Sequence, residues 1–338
     1  TITNMGAELG ASTSVFPADE ITREFMTAQG RGDDFTPVFA DDDAVYDEII
    51  DIDLSELSPA AAMPHMPDNV KSVKEIGEIK VDQVLIGSCT NSSLRDMLRV
   101  AAILKGKTVH PDVSVGIAPG SKQVFNMLAQ CGALSDLIAA GARILECACG
   151  PCIGMGQSPN SNGISLRTFN RNFEGRSGTA DGQIYLVSPE TAAASALTGV
   201  LTDPTALDGY ADIEMPEKFL INDNMIVPPA SVEDADSVEI LRGPNIKPFP
   251  VTKELDADIK APAVLKVGDN ITTDHIMPAG AKILPYRSNI PHLSQFCFKR
   301  CDENFGENCK AAGQSIIIGG ANYGQDSSRE HAALVPLY

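Results

Sequence analysis

The sequence contains no apolar run near the roughly 18 residues that a membrane-spanning helix needs. It also has no stretch in which basic, apolar and small residues succeed one another near its start, so no secretory signal is indicated. Cysteine is sparse, because eight in 338 residues are far too few for a disulfide scaffold. These absences predict a soluble, cytoplasmic protein whose thiols are free to bind a metal.

Positive charge is scarce as well. Twenty-six Lys and Arg stand against 45 Asp and Glu, which gives a formal net charge of −19. Because no cluster of basic residues offsets this balance, the composition argues against a nucleic-acid partner. A small acidic molecule can still bind, but only where arginines are gathered locally.

The apolar content of 43% is enough for two domains. From about residue 81 the pattern alternates between strand and helix, in the order "VDQVLIG", "LRDMLRVAAILKG", "VSVGIAPG", "SKQVFNMLAQ", "ARILE", "QIYLVS" and "SPETAAASALTGVL". In the last helix Ser188 is the expected N-cap and Pro189 the first helical residue. The pattern predicts a three-layer α/β domain with a parallel sheet over residues 1–205.

Residues 206–258 are rich in Pro, Asp and Glu and have little periodicity, as is typical of a linker. A second, smaller α/β domain is predicted over residues 259–338. In it "APAVLKVGDN" and "QSIIIGGANYG" each place a strand before a polar loop. Both ends of the sequence lie within such patterned segments, so we expect a fragment of a longer protein.

Cysteines follow two of the predicted parallel strands. Cys89 comes after "VLIG", and Cys149 and Cys152 come after "ARILE", in the stretch "ILECACGPCIGMGQ". The carboxyl ends of parallel strands share one edge of a sheet, so the three thiols can meet there. They suit an iron-sulfur cluster or a zinc ion, with Cys147 as a possible fourth ligand. With three ligands only, one metal keeps an open position and can act as a Lewis acid.

Less specific interpretations of these cysteines stay open. Buried cysteines often serve as small apolar residues, and we expect Cys131 to lie in the core. A thioredoxin-like redox motif opens a helix, for which "IGMG" after Cys152 is a poor start. A ferredoxin needs a fourth thiolate. A second metal at Cys297, Cys301 and Cys309 is possible, but their polar stretch lacks the tight turns of a metal knuckle.

Arginines gather in the loop after the cysteines and in the second domain. "NRNFEGR" offers Asn170, Arg171 and Arg176, and Arg287 and Arg329 follow later. Arginines bind carboxylates in a bidentate manner, so together they could hold a di- or tricarboxylate. Three further residues are candidates for the same site. Ser327 and Ser328 stand at a predicted helix start that favours an anion, where Ser327 could act as a base, and Asp274 could supply an acid.

Five segments of the sequence occur in the order "IGSCTNSS", "ACGPCIG", "NRNFEGR", "TTDHIMPAG" and "NYGQDSSREHAAL". In this order they resemble the aconitase family of [4Fe-4S] hydro-lyases, whose activity is aconitate hydratase. The resemblance implies a [4Fe-4S] cluster on Cys89, Cys149 and Cys152. It also implies binding of the substrate by Asn4, Asn170, Arg171, Arg176, Arg287, Ser328 and Arg329, and catalysis by Ser327, Asp274 and Glu8.

The resemblance further implies interconversion of citrate and isocitrate through cis-aconitate. Homoaconitate, 2-methylcitrate and 3-isopropylmalate are alternative acids for the same chemistry, and some relatives bind RNA without the cluster. The family also has histidine-bearing motifs in an N-terminal half that is not found here. We therefore expect the N-terminal domains to be missing, the swivelling C-terminal domain to be truncated, and the fragment to be inactive on its own.

Overall fold

The computed structural model describes residues 2–6, 11–207, 212–251, 253–278, 282–325 and 329–338. The chain forms two compact units, Thr1–Met225 and Ile226–Tyr338. Their boundary falls inside the segment that the sequence predicts to be a linker. No helix in the described ranges is both long enough and apolar enough to cross a bilayer.

The α-helices of the described residues are α1 (Ile2–Gly6), α2 (Glu20–Ala28), α3 (Val73–Ile76), α4 (Leu94–Leu104), α5 (Lys122–Gln130), α6 (Ala133–Ala139), α7 (Pro189–Thr198), α8 (Thr273–Ile276), α9 (Ile290–Leu293), α10 (Phe305–Ala312) and α11 (His331–Leu337). The strands are β1 (Ala60–Ala62), β2 (Val70–Ser72), β3 (Gln83–Gly87), β4 (Ser114–Ala118), β5 (Arg143–Ile144), β6 (Ile164–Arg167), β7 (Gln183–Leu186), β8 (Ala263–Lys266) and β9 (Ile316–Ile318).

The first unit is built on a seven-stranded sheet in the order β2-β1-β7-β6-β3-β4-β5. The five strands from β3 to β7 pair in parallel, whereas β1 pairs antiparallel with β2 and β7. In the central pair, Gln83 to Gly87 of β3 face Ser114 to Ala118 of β4 without a register shift. The structure thus confirms the predicted α/β class with a largely parallel sheet.

Helices cover one face of this sheet, and their ends are fixed by the local sequence. Ser93 and Asp96 form a capping box at the start of α4, each bonding the other's backbone N–H. At α7, Ser188 is the N-cap and Pro189 the first residue, as predicted. The apolar side of α4, including Met97, packs with α6 and α7 against the face that carries Val84 and Ile86.

The opposite face of the sheet carries polar groups and is covered by loops. Because side chains alternate along a strand, Gln83 of β3 and Arg167 of β6 point away from the helices, and both contact Gln157. Segment 145–158, which contains two of the predicted ligands, Cys149 and Cys152, lies over this face. The three layers are therefore helices, sheet and loops.

The second unit has a two-stranded parallel sheet, β8 with β9. Each strand leads into a polar loop, as the sequence predicts. Its core gathers Ile276, Leu293, Phe298 and Phe305. Between residues 226 and 258 the described part of the chain has one turn of 3-10 helix, Ala235–Ser237, and no strand or α-helix.

Candidate active site at the carboxyl edge of the sheet

The parallel strands form a crevice at one point of their carboxyl edge. Strands β3, β4 and β5 lie side by side in that order, whereas the next two strands of the chain, β6 and β7, lie on the other side of β3. Such a reversal leaves a crevice between the two neighbouring strands, where ligands of open α/β sheets bind. Here the crevice lies between the loop after β3, which begins at Ser88, and the loop after β6, which begins at Thr168.

A sharp turn at the end of β3 presents Cys89. Gly87 has φ +128°, and a Cβ there would overlap the carbonyl oxygen of Ala118, so only glycine fits. Ser88 has φ +75°, in the left-handed region that non-glycine residues rarely adopt. The Ser92 hydroxyl donates to the Ser88 carbonyl and holds this turn. As a result Cys89 leaves the sheet and is exposed at its edge.

Three of the predicted site regions meet at Asn4. Asn4 Oδ1 accepts hydrogen bonds from Asn170 Nδ2 at 2.7 Å and from Thr90 Oγ1 at 3.0 Å. Cys89 Sγ lies 4.0 Å from the same oxygen. Asn170 is only 4% exposed. The structure therefore joins α1, the loop after β3 and the loop after β6, which are far apart in sequence.

The C-x-x-C segment forms a short turn. Cys149 precedes a 3-10 helix, Gly150–Ile153, that contains Cys152 and ends at Gly154 in the left-handed conformation. Cys149 is exposed and Cys152 half-buried. Arg176 Nη2 donates to Cys152 Sγ at 3.6 Å, so the loop after β6 contacts residues 149–157, which we call the cysteine loop. Arg171, also half-buried, belongs to that same loop.

Arg167, which the sequence analysis missed, is the largest side chain with no exposed surface. Its guanidinium donates to Pro151 O at 2.7 Å and to Gln157 O at 2.9 Å. Burial lowers its pKa from 12.5 to about 10, partly offset by the nearby Cys152, so the group stays charged at neutral pH. The alternation in "ISLR", which puts Ser165 and Arg167 on one face of a strand, is the signal that could have revealed it.

The donor groups suit an iron-sulfur cluster by their chemistry. All eight cysteines are free; of the three predicted ligands, Cys89 and Cys149 are exposed and Cys152 is half-buried and accepts a hydrogen bond from Arg176. Burial and the charge of Glu146 raise the pKa of Cys147, which makes it a poorer thiolate donor. Within the described ranges, no three His, Cys, Asp or Glu side chains lie close enough to hold a single metal ion. The thiolates of a cluster bind different irons, so the ligand set of Cys89, Cys149 and Cys152 stays a prediction.

The remaining cysteines have other surroundings. The prediction that Cys131 lies in the core is wrong, because it follows the last turn of α5 and is exposed. The apolar residues inside that helix, such as Val124, Met127 and Leu128, misled the prediction. Cys297 is 3% exposed and belongs to the core of the second unit, where Cys309 packs against it and Cys301 is exposed.

In the second unit, Arg329 Nη1 donates to Asp274 Oδ1 at 2.6 Å and to Met277 O at 2.7 Å. Arg287 stands after a 3-10 turn, and its carbonyl accepts from His331 Nε2 at 2.7 Å. The structure thus pairs Asp274 with Arg329 and connects the Arg287 backbone to α11. Glu8, Ser327 and Ser328 lie outside the described residues.

The sequence model of the aconitase family (aconitate hydratase) matches residues 1–78 and 70–199. A 3-isopropylmalate dehydratase large subunit 1 of Thermotoga maritima is 44% identical over 207 residues, which are 60% of this chain and 50% of that protein. The large subunits of Moorella thermoacetica and Archaeoglobus fulgidus are 43% and 42% identical over 205 residues, which are 60% of this chain and 48% and 49% of those proteins. The chain thus spans about half the length of these relatives. By the extent of the family match, this chain belongs to the aconitase family.

Proposed function

We propose that the full-length protein is a hydro-lyase, which removes water from a hydroxy di- or tricarboxylate and adds it back. Membership of the aconitase family is the first support. The observation that carries the proposal is the group at the crevice, where Asn4 joins Asn170, Thr90 and Cys89 while Arg176 donates to Cys152. Amides, thiols and a guanidinium thus lie at the edge where open sheets bind their ligands, which supports the proposal of an acidic ligand.

A [4Fe-4S] cluster would be held by Cys89, Cys149 and Cys152, and when bound it supplies a Lewis acid for the hydroxyl that leaves. The other steps belong to side chains of this chain. Arg171 and Arg176 would bind carboxylates of the substrate through their forked N–H groups. Asn170, which Asn4 holds in one orientation, would offer its remaining amide groups to the same ligand.

In the second unit, Arg329 and Arg287 would bind a further carboxylate, and Asp274, charge-paired with Arg329, would hold that guanidinium in place. Ser327 would take the proton from the carbon next to the one that loses the hydroxyl, with Ser328 close to the anion and Glu8 near the departing water. No electron leaves or enters the substrate in this dehydration, since a C–O and a C–H bond break and a C=C bond forms.

Among substrates, an acid of the 3-isopropylmalate type is the first candidate. The relatives reported above are named for 3-isopropylmalate, so they do not support the preference for citrate and isocitrate that the sequence motifs suggested. Their names also describe a large subunit, and assembly with another chain is therefore part of the proposal. Cytoplasmic location is proposed as well, because the free state of the cysteines suits a reducing compartment.

A tricarboxylate such as citrate, homoaconitate or 2-methylcitrate is the second candidate. It is favoured by one observation, the presence on this same chain of a second unit with Arg287 and with Arg329 paired to Asp274. A third carboxylate needs additional cations, and this unit offers two arginines. The RNA-binding alternative finds no support in a chain with a net charge of −19.

The test uses the full-length protein, together with the chain that assembles with it, after anaerobic reconstitution with iron and sulfide. Each acid is offered in turn, and formation of the conjugated unsaturated product is followed by its ultraviolet absorbance. We expect turnover of 3-isopropylmalate, and its loss in Arg176→Lys because Lys lacks the guanidinium fork. Arg143→Lys, at an exposed position of β5, is the matched control. Turnover of citrate alone would transfer the proposal to the second candidate, and no turnover of any acid would refute it.

A further inference from the structure

Arg167 occupies an unusual position for a charged side chain. It is the last residue of β6, its side chain has no exposed surface, and it lies between the sheet and the cysteine loop. Burying a guanidinium is costly unless hydrogen bonds compensate for the lost water. A position of this kind therefore points to a specific task for the residue.

The hydrogen bonds of Arg167 show which segment it holds. Nη1 donates to the carbonyl of the peptide bond between Pro151 and Cys152, at 2.7 Å, and Nη2 donates to Gln157 O at 2.9 Å. These two acceptors lie on either side of the turn that contains Cys152. One planar group thus clamps both sides of the turn through N–H groups whose directions are fixed.

The other N–H groups of Arg167 anchor it to the sheet. Nε donates to Ser165 Oγ at 3.1 Å and Nη2 to Gln83 Oε1 at 3.1 Å. The same Gln83 oxygen accepts from Ser165 Oγ at 2.8 Å, and Gln83 Nε2 donates to Gln157 Oε1 at 3.2 Å. The network connects β3 and β6 to the loop, and all of these groups are buried.

Arg167 and Arg176 approach the cysteine loop in different ways. Arg176 is half-buried and donates directly to Cys152 Sγ, so it belongs to the proposed carboxylate site. Arg167 has no surface from which to contact a substrate. Its charged guanidinium nevertheless donates to the carbonyl oxygen of Pro151, the residue directly before Cys152.

We propose that Arg167 is a positioning residue, which clamps the cysteine loop, residues 149–157, against the sheet and places a fixed positive charge beside the Cys152 sulfur. The part that concerns the sulfur rests on the proposed function, because it assumes that Cys152 binds a cluster. Partners of metal ligands set the orientation of those ligands and the electronic properties of the metal. A positive charge close to a cluster stabilises its reduced, more negative state and raises its reduction potential.

Two variants separate the clamp from the charge. Arg167→Lys keeps the charge but has three donors at one point in place of the four hydrogen bonds that the planar fork makes to loop and sheet, whereas Arg167→Gln removes the charge as well. Arg143→Gln, at an exposed position of β5, is the matched control, because it changes the net charge equally without touching the loop. All variants are made in the full-length protein.

The first measurement is hydrogen exchange of the protein without cluster. In both Arg167 variants we expect the amides of Cys152, Gly154 and Met155, which bond within the loop, to exchange about tenfold faster or more, with α4 unchanged. The second is the lifetime of the reconstituted cluster against a chelator, which should fall by about tenfold or more. The third is its reduction potential, which should become more negative in Arg167→Gln and change less in Arg167→Lys.

Unchanged exchange of the loop in Arg167→Gln would overturn the clamp, and so would exchange that accelerates equally in α4, since that would indicate a general loss of stability. An unchanged potential in Arg167→Gln would overturn the electrostatic role. If even the wild-type protein took up no cluster, the proposed function would fall. The exchange measurement would still decide whether Arg167 clamps the loop.

Discussion

Thr168 joins the two strands that border the crevice. Its side-chain oxygen accepts a hydrogen bond from Gly87 N at 2.8 Å and donates to Gly87 O at 3.2 Å. The register of β3 with β6 ends one residue earlier, at Leu85 and Arg167, so this hydroxyl extends the pairing by one step. We predict that Thr168→Val, which replaces the hydroxyl by a methyl group of similar size, destabilises the first unit.

The size of the effect follows from the two bonds. Thr168 has no exposed surface, so water cannot replace the hydroxyl in the variant. A buried N–H or C=O that loses its partner costs about 1–3 kcal/mol. The volume of the side chain hardly changes, so no cavity adds to the cost, and for the two groups of Gly87 together we expect about 2–4 kcal/mol of lost unfolding free energy.

The measurement is urea unfolding followed by circular dichroism, with hydrogen exchange of the Gly87 amide as a local probe. Thr168→Ser is the control, because it keeps both bonds and loses only a methyl group, at a cost of about 1 kcal/mol. If Thr168→Val were as stable as Thr168→Ser or more stable, the reasoning would be wrong. The turn at Ser88 and Cys89 follows Gly87 directly, so we also expect Thr168→Val to weaken cluster uptake.

Three further predictions concern the helix layer, the cysteine loop and the second unit. Met97→Ala should cost about 2–5 kcal/mol in urea unfolding, because Met97 is fully buried in the main core. Gly154→Ala should lose more stability than Gly156→Ala. Both positions have a positive φ, which costs a non-glycine residue about 1–2 kcal/mol, but only at Gly154 would the new Cβ also overlap Ser177 O. Equal melting temperatures of the two variants would contradict this reasoning. Burial, assisted by Cys309, raises the pKa of Cys297 from 9.0 to about 12. The unfolded chain therefore releases the thiol proton at a lower pH than the folded chain does. As a result the free energy of unfolding falls as pH rises from 9 towards 12, by up to about 1.4 kcal/mol per pH unit. Cys297→Ala should remove this component, which unfolding at a series of pH values will show.

The parts of the fold that the sequence predicted are those with strong local signals. The helical spacing of Leu94, Met97 and Ala101 matches α4, and Ser188 with Pro189 matches the start of α7. Strands β3 and β4 are short apolar runs with a loop of small and polar residues directly after them, and such runs are typical of buried parallel strands. In these cases the residues that form an element also determine its ends.

The missed parts depend on contacts between distant residues. Strand β6 was overlooked because "ISLR" is short and ends in a charged residue. The position of that residue depends on hydrogen bonds to distant groups, such as Gln83 on the sheet and Gln157 on the loop. The contact between Asn4 and Asn170 spans 166 positions of sequence, and no periodicity encodes it. Cys131 shows the opposite error, since an apolar helix does not bury every residue next to it.

The charge distribution is compatible with the proposed binding of a small acidic ligand by a chain that is itself acidic. Charges in water are screened over about 8 Å at physiological ionic strength, so the net charge of −19 has little influence on a small molecule once it is inside the crevice. The charges of the nearby side chains matter more there. Three arginines, Arg167, Arg171 and Arg176, lie within ten residues, beginning with the last residue of β6. Arg167 is buried inside the fold next to the cysteine loop, and the proposed function assigns Arg171 and Arg176 to a carboxylate. A polyanion such as RNA extends over many screening lengths and meets the acidic surface as well. Composition therefore argues against the large ligand and leaves the small one to be decided by the few side chains at the crevice.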